Sequence, residues 1–350
     1  MVVSTSEPGN AGVRVRWEEL EAAVTAALVA RRVPAASARL VAESLVLADL
    51  RGVTSHGVRR LPVLLRKLDL GVIDPQAGPV VKELAPAAVA VDARDGLGQV
   101  AAVCAMEACV SRARHLGLAC AVVYRSSHFG IAAYPALVAA RQDMVGVALS
   151  NAEAAVAPWG GRRPVLGTNP LAVAIPCPGR DPVVLDMATS VAGRSRIRQA
   201  AQRGEAIPPG WALDEEGRPA TDPVRALRGV LLPFGGAKGY GLSLVVEVLC
   251  GVLSGARLSH RVRGLEDTTG PGGAGHFLMA LDVATFAPAE EFRQRMEELV
   301  GLIKACPALP GVDEVYLPGE IESQAERKHR TEGISVPAEL WQQILAGRCL

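Results

Sequence analysis

The chain has 350 residues, enough for two domains of ordinary size with large cores. At 49% hydrophobic and 21% charged it fits a soluble globular protein, not a disordered one. The charge is balanced, 37 Lys plus Arg against 36 Asp plus Glu, and aromatic residues are only 4%, so neither a nucleic acid nor an acidic membrane surface is expected as partner.

No apolar run reaches the ~18 residues of a membrane helix. The start, MVVSTSEPGNAG, lacks the basic-then-apolar pattern of a signal peptide. Seven cysteines, an odd number with no C-x-x-C, read as reduced thiols in a cytoplasmic protein. No zinc ribbon, HExxH, EF-hand loop or Walker A is present, so no metal is expected.

Residues 1–13 read as a loose tail. From Trp17 to Arg32, Leu20, Val24, Ala27 and Leu28 recur at helical spacing. Pro34 breaks the chain, a second helix follows over about Ala36–Leu50, and after Arg51–Gly57 a third runs to about Leu70. Three helices thus precede the first strand. Strands are expected at 88–92 (AVAVD), 118–124, 144–151, 169–177 and 182–188, with a helix over Gly96–Ala113. Residues 202–234 read as irregular. The apolar stretch after Gly235-Gly-Ala-Lys-Gly239 reads as a buried helix, and Arg257–Gly275 as a mobile Gly-rich loop. A late strand at 276–283 and two or three helical segments close the chain. The fold class is α/β with a helical layer at both ends.

Five constellations can carry chemistry. Gly96-Leu-Gly98-Gln-Val-Ala101 matches G-x-G-x-x-A between a strand and a helix, the context of a dinucleotide loop. The acidic residue expected ~20 positions on is missing, and a plain strand-to-helix turn explains the glycines too. Ser55-His56-Gly57 follows a helix. Adjacent Ser and His side chains point apart, and the motif is out of step with the G-x-S-x-G elbow, so a serine hydrolase is a remote reading. His56 with Arg60 one turn on suits a carboxylate substrate, by a guanidinium fork beside an imidazole; a solvated helix start is the alternative.

His128 follows a strand, where α/β sites lie, and can trade a proton with a substrate oxygen. His115, His260, His276 and His329 have no such neighbourhood and read as structural. Asp186 leaves the apolar run VVLD, is expected half-buried, and either supports a histidine or caps the next segment. Gly235–Gly241 places Lys238 where a glycine-rich loop enters a helix, an anion nest without the Ser or Thr of a Walker motif. A non-catalytic anion-binding protein therefore stays open. Glu247, inside the apolar helix, needs a structural partner.

Nine segments, in order along nearly the whole chain, resemble the type-2 malate/L-lactate dehydrogenase family, which includes sulfolactate, ureidoglycolate and diketogulonate dehydrogenases and Δ1-piperideine-2-carboxylate reductases. They are DLRGVTSHGVRRLP (49–62), GLGQVAA (96–102), SSHFGIAAY (126–134), GTNPLAVAIP (167–176), LDMATS (185–190), PPGWALDEEGRPATDP (208–223), PFGGAKGYGLSL (233–244), GHFLMALD (275–282) and LPGE (317–320).

The resemblance implies a nicotinamide-binding fold that is not the Rossmann fold, a homodimer, and NAD(P)H as cofactor with the choice between NADH and NADPH open. On that fold GLGQVA is not the cofactor loop. It further implies a substrate-side and dimerisation domain of residues 1–120 plus 285–350 around a cofactor domain of 121–284. Ser55, His56 and Arg60 would face the substrate. His128 would exchange the proton, with Asp186 behind it. Thr168, Asn169, Asp186, Met187, Ala188, Lys238 and Gly239, with His128, would line the cofactor. The implied reaction is hydride transfer between nicotinamide and C2 of a small 2-oxo or 2-hydroxy acid, or reduction of a cyclic imino acid, Δ1-piperideine-2-carboxylate or Δ1-pyrroline-2-carboxylate. Ser127 stands where the family often has Asn, Leu64 where a Tyr is usual, and Arg194-Ser195-Arg196 where R-G-K is common. The arginines 194, 196 and 198 could meet the 2′-phosphate of NADPH, or form a solvated cluster.

Overall fold

A computed structural model describes residues 12–347. The chain forms two compact units, one of residues up to 71 together with 322 onward, the other of 72–321. In the first unit, β1 (Gly12–Val15) pairs antiparallel with the segment Ile334–Pro337. Part of the expected tail is thus a strand; residues 1–11 lie outside the described ones. Helix α1 (Trp17–Val29) buries Leu20, Val24, Ala27 and Leu28, the stripe the spacing predicts. Helix α2 (Ala35–Leu50) starts after Pro34 and buries most of its second half, down to Asp49. Two 3₁₀ turns, Thr54–His56 and Val58–Arg60, lead into α3 (Leu61–Asp69).

The second unit is built on a seven-stranded sheet. Its members in chain order are β2 (Val80–Ala85), β3 (Ala88–Asp92), α4 (Gly98–Leu116), β4 (Leu118–Ser126), α5 (Ala133–Ala140), β5 (Met144–Ser150), β6 (Leu171–Ile175) and β7 (Val183–Met187). Then come α6 (Arg194–Arg203), β8 (Ala212–Leu213), α7 (Pro223–Arg228), β9 (Val230–Leu231), α8 (Ala237–Glu247) with a π-helical turn at Val248–Val252, β10 (Ala274–Asp282), α9 (Val283–Phe286) and α10 (Ala289–Lys304). Helix α11 (Glu320–Glu332) returns the chain to the first unit, which ends with β11 (Ile334–Pro337) and α12 (Ala338–Leu345).

The strand order is β2-β3-β4-β10-β5-β6-β7, and only β3–β4 is parallel. A doubly wound Rossmann sheet is mostly parallel, so this sheet, antiparallel at all but one pairing, bears out the non-Rossmann α/β expectation. Helices α4 and α5 pack on the sheet and on each other, α4 against β3, β4 and β10 and α5 against β5 and β6. The boundaries observed differ from 120/121 and 284/285. β3 bonds to β4 along its whole length and α4 covers them, so 72–120 is inseparable from the sheet.

Three local expectations are corrected. The apolar helix is not buried. α8 and its π turn set Val246 and Cys250 against Leu149, but leave Leu242, Leu244, Val245, Val248, Val252 and Leu253 exposed. The stretch 202–234 is not irregular. It folds β8, α7 and β9 around a small core of Val156, Ile197, Ile207, Ala212, Ala226 and Leu231. The loop 257–275 is held by arginines, since Arg257 and Arg263 each donate to Pro271 O and Arg263 also to Thr269 Oγ1.

Candidate active site

The segment after α2 is shaped by one buried carboxylate. Asp49, 4% exposed, accepts the Val58 amide at 2.7 Å. A Cβ on Gly57 would stand 2.0 Å from its Oδ1 and 2.3 Å from its Oδ2, so residue 57 is glycine because the carboxyl sits against its backbone. The turn closed this way brings Ser55 Oγ within 2.9 Å of His56 Nδ1, against the expectation that the two side chains diverge. Arg60 is tied to the same turn, its Nε donating to Ser55 O at 2.6 Å. Desolvation, with the Arg60 charge second, pulls His56 down to about 4, so the ring is neutral at pH 7.

Burial pushes Asp49 up to about 7, against the lowering effect of the Val58 amide and the Arg59 charge. A carboxyl whose folded pKa lies above its unfolded value contributes most below the unfolded pKa. For Asp49 that contribution is whole below about 4 and is lost as pH rises to about 7. Asp49→Asn keeps an acceptor for Val58 and cannot ionise. Chemical denaturation at steps between pH 4 and 8 should show the wild type losing stability relative to this variant by a few kcal/mol. Parallel profiles would refute the buried-carboxyl account.

In the second unit the sheet delivers His128. Between Ala274 and His276 of β10 the register against β4 slips, from Ser126 to Val123, so β4 carries an extra residue there. Arg125 in this bulge has φ +51°, left-handed for a non-glycine residue. Past the bend the ladder closes on Ser126, paired with Ala274, and Ser127–Gly130 leave the sheet. Ser127 Oγ accepts the Gly98 amide at 2.9 Å and donates to Gly96 O at 3.0 Å. The two glycines of the G-x-G-x-x-A motif therefore hold the His128 segment. The Gly130 amide donates to His128 Nδ1 at 3.1 Å. An Nδ1 that accepts carries no proton, so the neutral ring bears its proton on Nε2.

Asp186 is exposed, not half-buried, because β7 is the edge strand of the sheet. Its Oδ2 accepts the Ala133 amide at 2.9 Å, in the first turn of α5, five residues beyond His128. The structure thus brings Asp186 to the His128 segment. Behind it, Pro318 of LPGE takes the Val184 amide of β7 at 2.9 Å. Met187 and Ala188 are half-buried. Thr168 O accepts from the Thr189 hydroxyl at 3.0 Å. Asn169 is fully buried: its amide oxygen takes Ala152 N, and its NH₂ donates to Ser243 O and to Glu247. Glu247 also holds Ser259, the structural partnership its sequence position demands.

Lys238 is exposed in the first turn of α8, next to buried Gly239. Arg194, Arg196 and Arg198 crowd the start of α6, where positive charge opposes the helix dipole. None of the three makes an ion pair among the described residues. These cations and helix starts fit the phosphates of a nicotinamide nucleotide. Six cysteines are free, Cys349 lies outside the described residues, and no group of metal-ligating side chains occurs among the described residues. No described helix is long and apolar enough to cross a membrane.

One residue read as structural has a neighbourhood the sequence does not reveal. His276, 0% exposed, stacks on Phe129 with ring centroids 4.5 Å apart and 7° between planes. Its Nδ1 lies 2.9 Å from Ser150 Oγ and its Nε2 2.8 Å from Ser126 Oγ. His329, by contrast, bonds Leu50 O within the first unit.

A mixed sheet that sends a histidine out at a strand end, with the Asp186 carboxylate bonded to the helix that follows it, fits an oxidoreductase outside the Rossmann class. The profile of the malate/L-lactate dehydrogenase family matches residues 15–345, and the chain belongs to that family. L-sulfolactate dehydrogenase of Methanothermobacter thermautotrophicus is 38% identical over 333 residues, 95% of this chain and 96% of that protein. Delta(1)-pyrroline-2-carboxylate reductase of Ancylobacter novellus is 34% identical, over 95% and 97% of the two chains. The solved structure of sulfolactate dehydrogenase from Methanocaldococcus jannaschii superposes with a TM-score of 0.90 at 36% identity, over 96% of each chain. The chain is an NAD(P)-dependent dehydrogenase or reductase of this family.

Proposed function

We propose that the chain reduces the C2 carbonyl of a small 2-oxo acid, with His128 as the group that meets the substrate oxygen. The observation that carries this is the Gly130 amide on His128 Nδ1, which leaves Nε2–H as a donor. To give its Nε2 proton to the substrate oxygen without being left as an imidazolate, the ring must take up a proton at Nδ1, which requires that amide to release Nδ1, so transfer and loop geometry are linked. Asp186 steadies the segment through the Ala133 amide. Met187, Ala188, Lys238 and Gly239 face NAD(P)H, with Thr168 beside them and Asn169 supporting from beneath. NAD(P)H, when bound, supplies the hydride. The sheet unit is the cofactor domain in this reading, and the helical unit serves substrate and dimerisation.

Arg60 holds the carboxylate, with Ser55 and His56 beside it. A charge-assisted hydrogen bond contributes about 1.5–3 kcal/mol. Arg60→Ala should therefore raise the KM for the 2-oxo acid about 10- to 100-fold with a small change in kcat. An unchanged KM in steady-state assays would remove Arg60 from carboxylate binding.

The named pyrroline-2-carboxylate reductase relative supports a second reading, reduction of a cyclic C=N by the same groups. Following oxidation of NADH and of NADPH with pyruvate, oxaloacetate, sulfopyruvate, Δ1-piperideine-2-carboxylate and Δ1-pyrroline-2-carboxylate separates the two and fixes the cofactor. A carbonyl enzyme turns over the open-chain acids, and turnover of the imines alone would overturn that assignment. The exposed apolar face of α8 supports a homodimer, since a patch of that kind is normally covered. The free cysteines fit a cytoplasmic location.

A further inference from the structure

Past the bulge β4 ends at Ser126, paired with Ala274, and the segment Ser127–Gly130 has no place in any strand of the sheet. A reacting imidazole needs its position fixed to a fraction of an ångström, because a 1 Å displacement can cost ~10²-fold in rate. His276 lies on the central strand β10, between β4 and β5. It reaches Ser126 at the end of β4 and Ser150 at the end of β5, so a single side chain joins three strands where β4 gives way to the reactive segment. Its flat face carries Phe129, the residue after His128.

We propose that His276 is a positioning residue for the reaction: it locks Ser126 and Phe129, on either side of Ser127-His128, and thereby sets where the His128 ring stands. The inference rests on the role given to His128 above.

The chemistry favours histidine over an apolar ring. A neutral imidazole has one N–H and one lone pair. Facing two hydroxyls, it is satisfied at both nitrogens when one serine accepts and the other donates. Ser150 Oγ is 2.9 Å from Asn151 O, whereas Ser126 Oγ is 3.3 Å from Ser127 O. The weaker carbonyl contact is at Ser126, so its hydroxyl is the one that turns to the ring. The clamp thus pulls directly on the residue two before His128. Burial drives His276 down to about 3, so the clamp keeps one protonation state across the working range and sets no second cation beside His128.

The test uses His276→Phe, which keeps the stacked ring and deletes both hydrogen bonds. Ser126→Ala, a one-atom deletion, covers the case in which the first variant fails to fold. Wild type and His128→Ala are assayed alongside, with whichever 2-oxo or imino acid the panel identifies. His276→Phe should lower kcat about 100-fold, with the KM for the acid and for NAD(P)H nearly unchanged. The primary deuterium isotope effect from 4-deuterated NAD(P)H should rise, because hydride transfer has become slower than release. Ser126→Ala should move both readouts the same way by a smaller factor. A folded His276→Phe with unchanged kcat, or with a loss confined to KM, overturns the assignment. A lower kcat without a larger isotope effect overturns it too, since a general loss of folded enzyme does that. If His128→Ala is itself as active as wild type, the His128 role has failed and the inference falls with it. If His128→Ala is inactive while His276→Phe is normal, only the His276 assignment falls.

Discussion

His128→Ala should lose turnover by ~10²–10⁴ while still binding NAD(P)H, since a positioned proton donor or acceptor contributes a factor of that size. The local structure makes the residue separable from the fold. The segment is held through Ser127 to Gly96 and Gly98, through Phe129 to His276, and through the Ala133 amide to Asp186. The imidazole adds to this frame its bond to the Gly130 amide. Deleting it leaves the other ties in place, so the melting temperature should stay within a few degrees. Stopped-flow binding of NAD(P)H, read by nicotinamide fluorescence, separates binding from chemistry. Full turnover in the variant would take His128 out of the reaction. A loss of cofactor affinity equal to the loss in rate would make it a binding residue instead.

How far the sequence reached depends on the range of the interaction. The α1 stripe, the α2 boundary at Pro34 and strands β3 to β7 are local patterns, and each appears close to where periodicity and Gly/Pro punctuation place it. The strand β2 escaped because VVKELA is exposed along its whole length and shows no alternation. α5 escaped because AYPALVAA is short and apolar on every side. Reading α8 as buried failed for a related reason: hydropathy counts apolar residues but not what covers them, and half of this helix faces away from the sheet.

The site divides in the same way. His56, Arg60, His128 and Asp186 stand in short motifs and were legible as candidates. The residues that hold them were not. Asp49 supports the His56 turn from nine residues before Val58. His276 reaches Ser150 and Ser126 across 126 and 150 positions of chain. A lone buried histidine carries no local mark of its partners. The one available signal was that GHFLMALD recurs in the family resemblance, a fact about the segment and not about the side chain.

Gly98→Ala addresses what the G-x-G-x-x-A motif is for. In a dinucleotide loop the second glycine lets the backbone approach a pyrophosphate, so alanine there weakens cofactor binding. Here a Cβ at residue 98 would stand 2.3 Å from Ser127 O and 2.7 Å from His128 O. Both are backbone atoms, so no side-chain rotation relieves the overlap. Either the first turn of α4 or the His128 segment must shift, and the bond from the Gly98 amide to Ser127 Oγ goes with it. Overpacking of this kind costs about 1–3 kcal/mol, or several degrees in melting temperature for a unit of this size. The displaced imidazole should lower kcat by ~10². The Kd for NAD(P)H should change little, because the glycine touches backbone atoms of Ser127 and His128 and none of Met187, Ala188, Lys238 and Gly239, to which the cofactor is assigned. Differential scanning fluorimetry, steady-state kinetics and direct NAD(P)H titration read the three quantities independently. A variant with normal kcat and a raised Kd would return the motif to the nucleotide and undo its assignment to the His128 segment.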